Sequence, residues 1–183
     1  MHKNSQHITK LLQRCEKNEQ SAQFEIYKLY YKAMYNTSLR ILKDSFEAED
    51  VMQESFLVAF TKLGTFKGEV TFGSWLKRIV INKSITQLRK NNKYEEVSLD
   101  VVPEQSESVE DSDDYSMLKA KEIIEAINEL KDNYRLALTL NLIEGYDYEE
   151  ISQIMNISYQ NSRTTISRAK NKLRRTLVVN HEG

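Results

Sequence analysis

Residues 95–114 carry nine acidic side chains and no basic one, and the stretch 94–113, YEEVSLDVVPEQSESVEDSD, holds the chain's single proline and four serines. So little of this stretch is apolar that no packed layer can be built through it, because burial must offset the entropy of ordering the chain. The sequence on either side then has to find cores of its own. A solvated linker between two domains is one reading, and a long surface loop within one domain is the other. At 183 residues the chain is long enough for either arrangement. Five glycines and one proline are too few for the turns of a sandwich or barrel, so the flanking segments are expected to be helical.

Charge is partitioned in the same way. Residues 1–94 hold 16 basic and 9 acidic side chains, and residues 115–183 hold 10 and 9, so the net charge of -1 conceals a basic first segment. Basic segments suit phosphate, and an acidic tether repels it. No run of eighteen apolar residues exists to span a membrane. The start, MHKNSQH, leads into no apolar signal core, so export by that route is not expected. Cys15 has no second cysteine to pair with, which fits a reducing compartment. His2, His7, His181 and Cys15 lack zinc-ligand spacing, and no glycine-rich phosphate loop is present. Neither metal nor cofactor is expected, and an enzyme is the least favoured class.

In the first segment, Phe24, Tyr27, Tyr31 and Tyr35 follow steps of three or four over residues 21–42, a stripe expected to face a core. Asp44 and Glu47 form a helix-start signature, with Asp44 as N-cap. Ala48, Val51, Met52, Ser55, Phe56, Ala59, Phe60 and Leu63 then predict one buried helical face. Glu47, Asp50, Gln53, Glu54 and Leu57 occupy the other. Acids near a helix start complement its dipole. An apolar Leu57 beside carboxylates also suits docking of a basic, partly apolar partner.

Beyond this helix, Gly64, Gly68 and Gly73 bracket a loop containing Phe66, Lys67 and Phe72, and a long helix is expected over 74–93. Trp75, Arg78, Asn82 and Arg89 fall on one stripe of it. Residues 77–93 include Lys77, Arg78, Lys83, Arg89, Lys90 and Lys93 with no acid. Aromatic faces that stack unpaired bases, beside cations that follow phosphates, suit single-stranded nucleic acid. The plainer reading is that Phe66, Phe72 and Trp75 close the core.

In the last segment, residues 119–130 place Ile123, Ile127 and Leu130 on one face. Residues 132–143 begin at Asp132, expected as a cap, and stop before Gly145. Ile151, Ile154 and Met155 are the buried set of the next helix, and Ser162, Ile166, Ala169 and Leu173 that of the last. Asn156 and Ile157 form the short turn between them, which is the helix-turn-helix plan. From 158 to 178 there are six cations (Arg163, Arg168, Lys170, Lys172, Arg174, Arg175) and no acid, whereas the preceding helix opens with Asp147, Glu149 and Glu150. The last helix is therefore the one suited to DNA. Gln160, Asn161, Arg163, Thr164, Ser167 and Arg168 face away from its apolar stripe. Arg, Asn and Gln can read base edges there, while Ser, Thr and the other cations hold phosphates. A basic surface helix in a bundle is the alternative.

With DSFEAEDVMQESFLVAF, then FKGEVTFGSWLKRIVIN, then EGYDYEEISQIMNISYQNSRTTISRAKNKLRR, the chain resembles bacterial RNA polymerase sigma factors of the sigma-70 family. It looks most like the small extracytoplasmic-function (ECF) group, which keeps only regions two and four. The resemblance implies an all-α fold of two small helical domains: region two over 1–94, a flexible acidic linker over 95–116, and a region-four helix-turn-helix over 117–183. It implies that Asp50, Gln53, Glu54 and Leu57 dock on the beta-prime clamp of core RNA polymerase, with the beta flap as a further contact. Phe66 and Lys67 match the loop that captures a flipped base of the minus-ten element. Trp75, Arg78 and Asn82 match the helix that supports melting and binds the non-template strand. Gln160, Asn161, Arg163, Thr164, Ser167 and Arg168 match the recognition helix for the minus-thirty-five element.

Core polymerase and promoter DNA are thus the implied partners, and an anti-sigma protein is a family-level one. No membrane insertion and a cytoplasmic location are implied, with nucleoid association in the holoenzyme. The stretch 160–168, QNSRTTISR, departs from the commonest pattern, with Ser162 where Val is usual and Thr165 where Arg often lies. Ser162 is expected to weaken packing of that helix, and no promoter sequence carries over. Two rivals stand beside this reading. A free-standing regulator would bind duplex DNA tightly and symmetrically without polymerase. A helical adaptor that binds only proteins would tolerate loss of Arg163 and Arg168 with no change in DNA affinity.

Overall fold

Helical periodicity on both sides of the acidic stretch sets the architecture. A computed structural model describes residues 2–94 and 120–181, with side chains over 6–91 and 120–178, and every regular element among them is a helix. The chain divides into two units, Met1–Asn91 and Asn92–Gly183. The acidic linker expected over 95–116 and the expected domain start at 117 lie outside the described residues.

The first unit contains α1 (His2–Glu16), α2 (Gln20–Leu42), α3 (Ser45–Thr61), a 3-10 turn (Leu63–Thr65) and α4 (Phe72–Tyr94). Its core gathers Leu11 and Cys15 from α1, Ala22, Ile26 and Met34 from α2, Met52, Phe56 and Ala59 from α3, and Leu76 and Val80 from α4. Helix α1 is not anticipated above, although Ile8, Leu11, Leu12 and Cys15 carry the spacing that marks it.

The aromatic stripe of α2 needs correction. Aliphatic Ala22, Ile26, Met34 and Ile41 hold the buried face, and Tyr27, Tyr31 and Tyr35 lie half-buried at its border. A tyrosine keeps its hydroxyl wet while its ring packs, so the border is its stable place. Phe24 is 59% exposed, with the Lys28 ammonium 4.8 Å from its ring centre.

Polar ties also bind these helices. Ser84 donates to the Val80 carbonyl at 2.8 Å, leaving its oxygen to accept from the buried Ser38 hydroxyl at 2.9 Å. At the head of α3, Asp44 accepts the Glu47 N–H at 2.9 Å, as expected of the N-cap. The Glu47 carboxylate does not close a capping box. It accepts instead from Asn91 at 2.8 and 3.1 Å and from Gln87 at 3.2 Å, fastening the start of α3 to the end of α4.

The second unit contains α5 (Ala120–Asn128), α6 (Asp132–Leu138) running into a π-helical turn (Thr139–Ile143), α7 (Tyr148–Met155) and α8 (Tyr159–His181). Ala126, Ile127, Leu130, Leu138, Leu140, Ile151, Ile154, Ile166, Ala169 and Leu173 are buried in it. Asp132 is not the cap of α6; Lys131 occupies that position, and Asp132 accepts from the Arg135 guanidinium at 2.7 Å. Arg135 is 2% exposed, and a buried cation needs a carboxylate far more than a helix end needs a cap. Gly145, at φ +78°, takes the left-handed turn that ends this segment.

Candidate functional site

On α3, Ala48, Val51, Met52, Ser55, Phe56 and Ala59 fill the buried face, which leaves Asp50, Gln53 and Glu54 exposed and Leu57 67% exposed. Asp50, Gln53 and Leu57 share one stripe, since steps of three and four return to the same side. Glu54 lies beside that stripe and pairs with Lys83 of α4 at 2.8 Å. The hydrogen bond from Lys83 holds the Glu54 carboxyl below the usual carboxylate range, helped by the charges of Lys83 and Lys90. One outward residue has no role in the expectations above: Phe46, in the first turn of α3, is 81% exposed.

The loop between α3 and α4 starts from buried Leu63. A 3-10 turn follows, and the Phe66 N–H donates to the Leu63 carbonyl at 2.9 Å. This delivers the Phe66 ring edge-on to Phe72, with centres 5.8 Å apart, and 5.3 Å from Trp75. The three aromatic rings have different fates. Phe72 is 3% exposed and belongs to the core, as the plainer reading held, while Phe66 and Trp75 remain half-buried. Lys67 is exposed beside them, and Gly68 at φ +74° supplies the turn.

Thr71 caps α4, its hydroxyl accepting the Ser74 N–H at 3.2 Å. At Gly73 a Cβ would come within 2.8 Å of the Tyr30 ring, so a bare backbone is what lets α4 press against α2 there. Below Trp75 along α4, Arg78 is half-buried and Asn82 exposed. The structure thus brings Phe66, Lys67 and Trp75 to the head of α4, with Arg78 and Asn82 on successive turns below.

The helix-turn-helix of the second unit is tightly built. Asp147 and Glu150 form a reciprocal capping box at α7, with hydrogen bonds of 2.8 and 3.0 Å. Asn156 ends α7 at φ +54°, and Ser158 caps α8 by accepting the Asn161 N–H at 3.1 Å.

Ser162, Ile166, Ala169, Leu173 and Leu177 form the buried face of α8. Gln160, Asn161, Arg163 and Ser167 are exposed on the other side, and Thr164 and Arg168 are half-buried. The Arg163 guanidinium lies 6.0 Å from the Tyr159 ring centre. Thr164 donates its hydroxyl proton to the Gln160 carbonyl at 3.0 Å, which leaves its oxygen able only to accept a further hydrogen bond. Ser162 does not loosen the helix through an unpaired hydroxyl. Its Oγ lies 2.8 Å from the Tyr148 carbonyl of α7 and 2.8 Å from the Tyr159 carbonyl, bridging the two helices. A hydroxyl replaces apolar packing there without leaving a buried polar group unsatisfied.

Comparison with known proteins gives both units a family. The family model for sigma-70 region 2 matches residues 26–94, and that for sigma-70, region 4 matches residues 120–173. The chain is similar to the ECF RNA polymerase sigma factor SigM of Bacillus subtilis, 32% identical over 82% of this chain and 91% of that protein. It is also similar to the RNA polymerase sigma-H factor of Pseudomonas aeruginosa, 31% identical over 91% of this chain and 92% of that one. Among solved structures, its fold resembles that of the sigma factor RpoE of Bartonella quintana in complex with the anti-sigma factor NepR. That similarity has a TM-score of 0.58 and 24% identity, covering 85% of this chain and 96% of that one.

Proposed function

The chain belongs to the sigma-70 family of RNA polymerase sigma factors, in its ECF group, and from that premise we propose how its surfaces divide the work of starting transcription. A sigma factor is a non-enzymatic initiation factor that recognises promoters, so the task of these residues is binding and selection. Residues 1–94 act as region two, 95–116 as a linker and 117–183 as region four. Asp50, Gln53, Glu54 and Leu57 dock on the beta-prime clamp of core polymerase, and the second unit meets the beta flap.

Docking sets the head of α4 against the upstream edge of the bubble. Opening duplex costs about 1.4 kcal/mol per base-pair step. Stacking on an aromatic ring returns about 1–3 kcal/mol per base. Phe66, Lys67 and Trp75 capture bases of the minus-ten element, while Arg78 and Asn82 hold the non-template strand. At the minus-thirty-five element, Gln160, Asn161, Arg163 and Arg168 read base edges in the major groove, where two hydrogen bonds per side chain separate one base from another, and Thr164 and Ser167 hold phosphates. An acidic linker keeps clear of the phosphates and lets the two units adopt the promoter spacing once both are docked.

The observation that carries this reading is the aromatic pair Phe66 and Trp75, half-exposed at the head of a helix with Arg78 and Asn82 below it. A free-standing regulator would leave that platform and the acidic face of α3 without a task. An anti-sigma protein is a further proposed partner, as NepR is for the Bartonella quintana protein. The work takes place in the cytoplasm, on the nucleoid when the chain is in holoenzyme. Purified chain added to sigma-free core polymerase on genomic fragments should yield discrete run-off transcripts. No specific transcript from any fragment would sink the proposal.

A further inference from the structure

Phe46 is the most exposed large apolar side chain of the described residues, at 81%, and it takes part in no ring contact among them. Local helix chemistry does not explain it. The cap of α3 is Asp44, and the core face of the helix begins at Ala48. A lone exposed apolar residue is ordinary and calls for no function. Phe46 is not alone: at about 100° per residue it shares a stripe roughly 60° wide with Asp50, Gln53 and Leu57. The stripe has an aromatic residue at one end, a polar pair in the middle and a leucine at the other end, about 16 Å away at a helical rise of 1.5 Å per residue. Glu49 and Glu54 flank it, both exposed.

We propose that Phe46 is the second apolar anchor of the polymerase-docking face, seating in an apolar notch of the same basic surface of core polymerase that takes Asp50, Gln53 and Leu57. This rests on the docking assignment above and extends it by one turn toward the helix start. The chemistry selects the occupant. Glu47, Glu49 and Asp50 lie within one turn of Phe46, so a nucleic acid or an anionic membrane would be repelled. A protein surface with cations opposite Asp50, flanked by apolar side chains about 16 Å apart, is complementary in both charge and spacing. Aromatic anchors at such surfaces dominate binding because they bury a large rigid area with few torsions to freeze.

The test is equilibrium binding of the labelled full chain to purified core polymerase, for wild type, Phe46→Ala, Phe46→Leu and the control Asp50→Lys, with thermal melts of each. Because Phe46 is outside the core, all variants should melt with wild type. Phe46→Ala is expected to weaken binding about tenfold, and Phe46→Leu to recover most of the loss. If Asp50→Lys loses core polymerase while Phe46→Ala binds like wild type, the anchor is refuted and the docking face stands. If Asp50→Lys also binds like wild type, the docking assignment falls and the anchor with it. A loss for Phe46→Ala that Phe46→Leu does not begin to recover would count against an apolar seat.

Discussion

Helix α8 and the head of α4 meet their proposed DNA in different ways. On α8 the core face is sharply set: Ser162, Ile166, Ala169 and Leu173 are wholly buried, while Gln160, Asn161, Arg163 and Ser167 are exposed and Thr164 and Arg168 half-buried on the other side. At the head of α4 the same rings serve two purposes. Phe66 and Trp75 pack on buried Phe72 and still keep part of their surface open. A duplex reader needs only a rigid cylinder with one face free. A site that captures extruded bases needs an apolar surface beside water, and the cheapest source of that is the rim of the core itself. The second unit should therefore separate function from stability, and the first should couple them.

The largest expected effect tests the first unit's dependence on polymerase. Reversing Asp50 and Glu54 to Lys together should lower affinity for core polymerase by at least about a hundredfold, since opposed charges replace complementary ones. Co-purification with core would disappear, while binding of the second unit to duplex DNA stays as it was. Retention on core at the wild-type level would break the assignment of that face.

Next comes the coupling itself. Phe66→Ala should destabilise the first unit by about 2 kcal/mol, roughly half the cost of removing a fully buried Phe. It should also reduce permanganate reactivity of promoter thymines in the open complex. Arg163→Ala should leave the melting temperature unchanged, within about 0.5 kcal/mol of stability. It should nonetheless cost about 1–3 kcal/mol of discrimination at a single base pair of the upstream element. A Phe66 variant with intact stability and impaired opening would show that the ring is not part of the rim, and the contrast between the units would fail.

The same contrast governs what could be read from the sequence. The buried face of α8 was legible, because Ser162, Ile166, Ala169 and Leu173 recur at helical spacing, whereas Thr164 and Arg168 on the proposed reading side are half-buried. The buried face of α3 was legible for the same reason. The two-unit, all-helical plan followed from the acidic stretch and the scarcity of turn residues, and the family comparisons agree with it. Elsewhere, spacing alone could not say which of several eligible side chains would win the core. On α2 the tyrosines had the right period, yet Ile26 and Met34 took the centre because they carry no hydroxyl to satisfy. Periodicity also could not divide Phe66, Phe72 and Trp75, whose burial depends on where a 3-10 turn aims the loop. Asp132 looked like a cap because its demand from Arg135, a cation buried by tertiary packing, is invisible locally. Residue chemistry and charge already suited α8 and the loop of Phe66 to DNA, and the family resemblance supplied the specific docking and promoter-element roles.

The smallest effect concerns the ion pair that links the proposed docking face to the proposed strand-binding helix. Glu54 accepts from Lys83 at 2.8 Å, and its carboxyl titrates below the ordinary 4.5. A depressed folded-state value means that the pair stabilises the first unit above about pH 4.5 and that this contribution fades as pH falls through the folded value. The Glu54 side chain is 65% exposed, so solvent and salt leave the pair little net worth and the melting temperature should barely register its loss. Its titration is the better readout. Carboxyl-carbon NMR should show the Glu54 midpoint rising toward the ordinary value in Lys83→Ala, and also in wild type at high salt. Identical midpoints in the two proteins at low salt would mean that Glu54 points freely to solvent. The docking face and the strand-binding helix would then be electrostatically independent, like the two sides of α8.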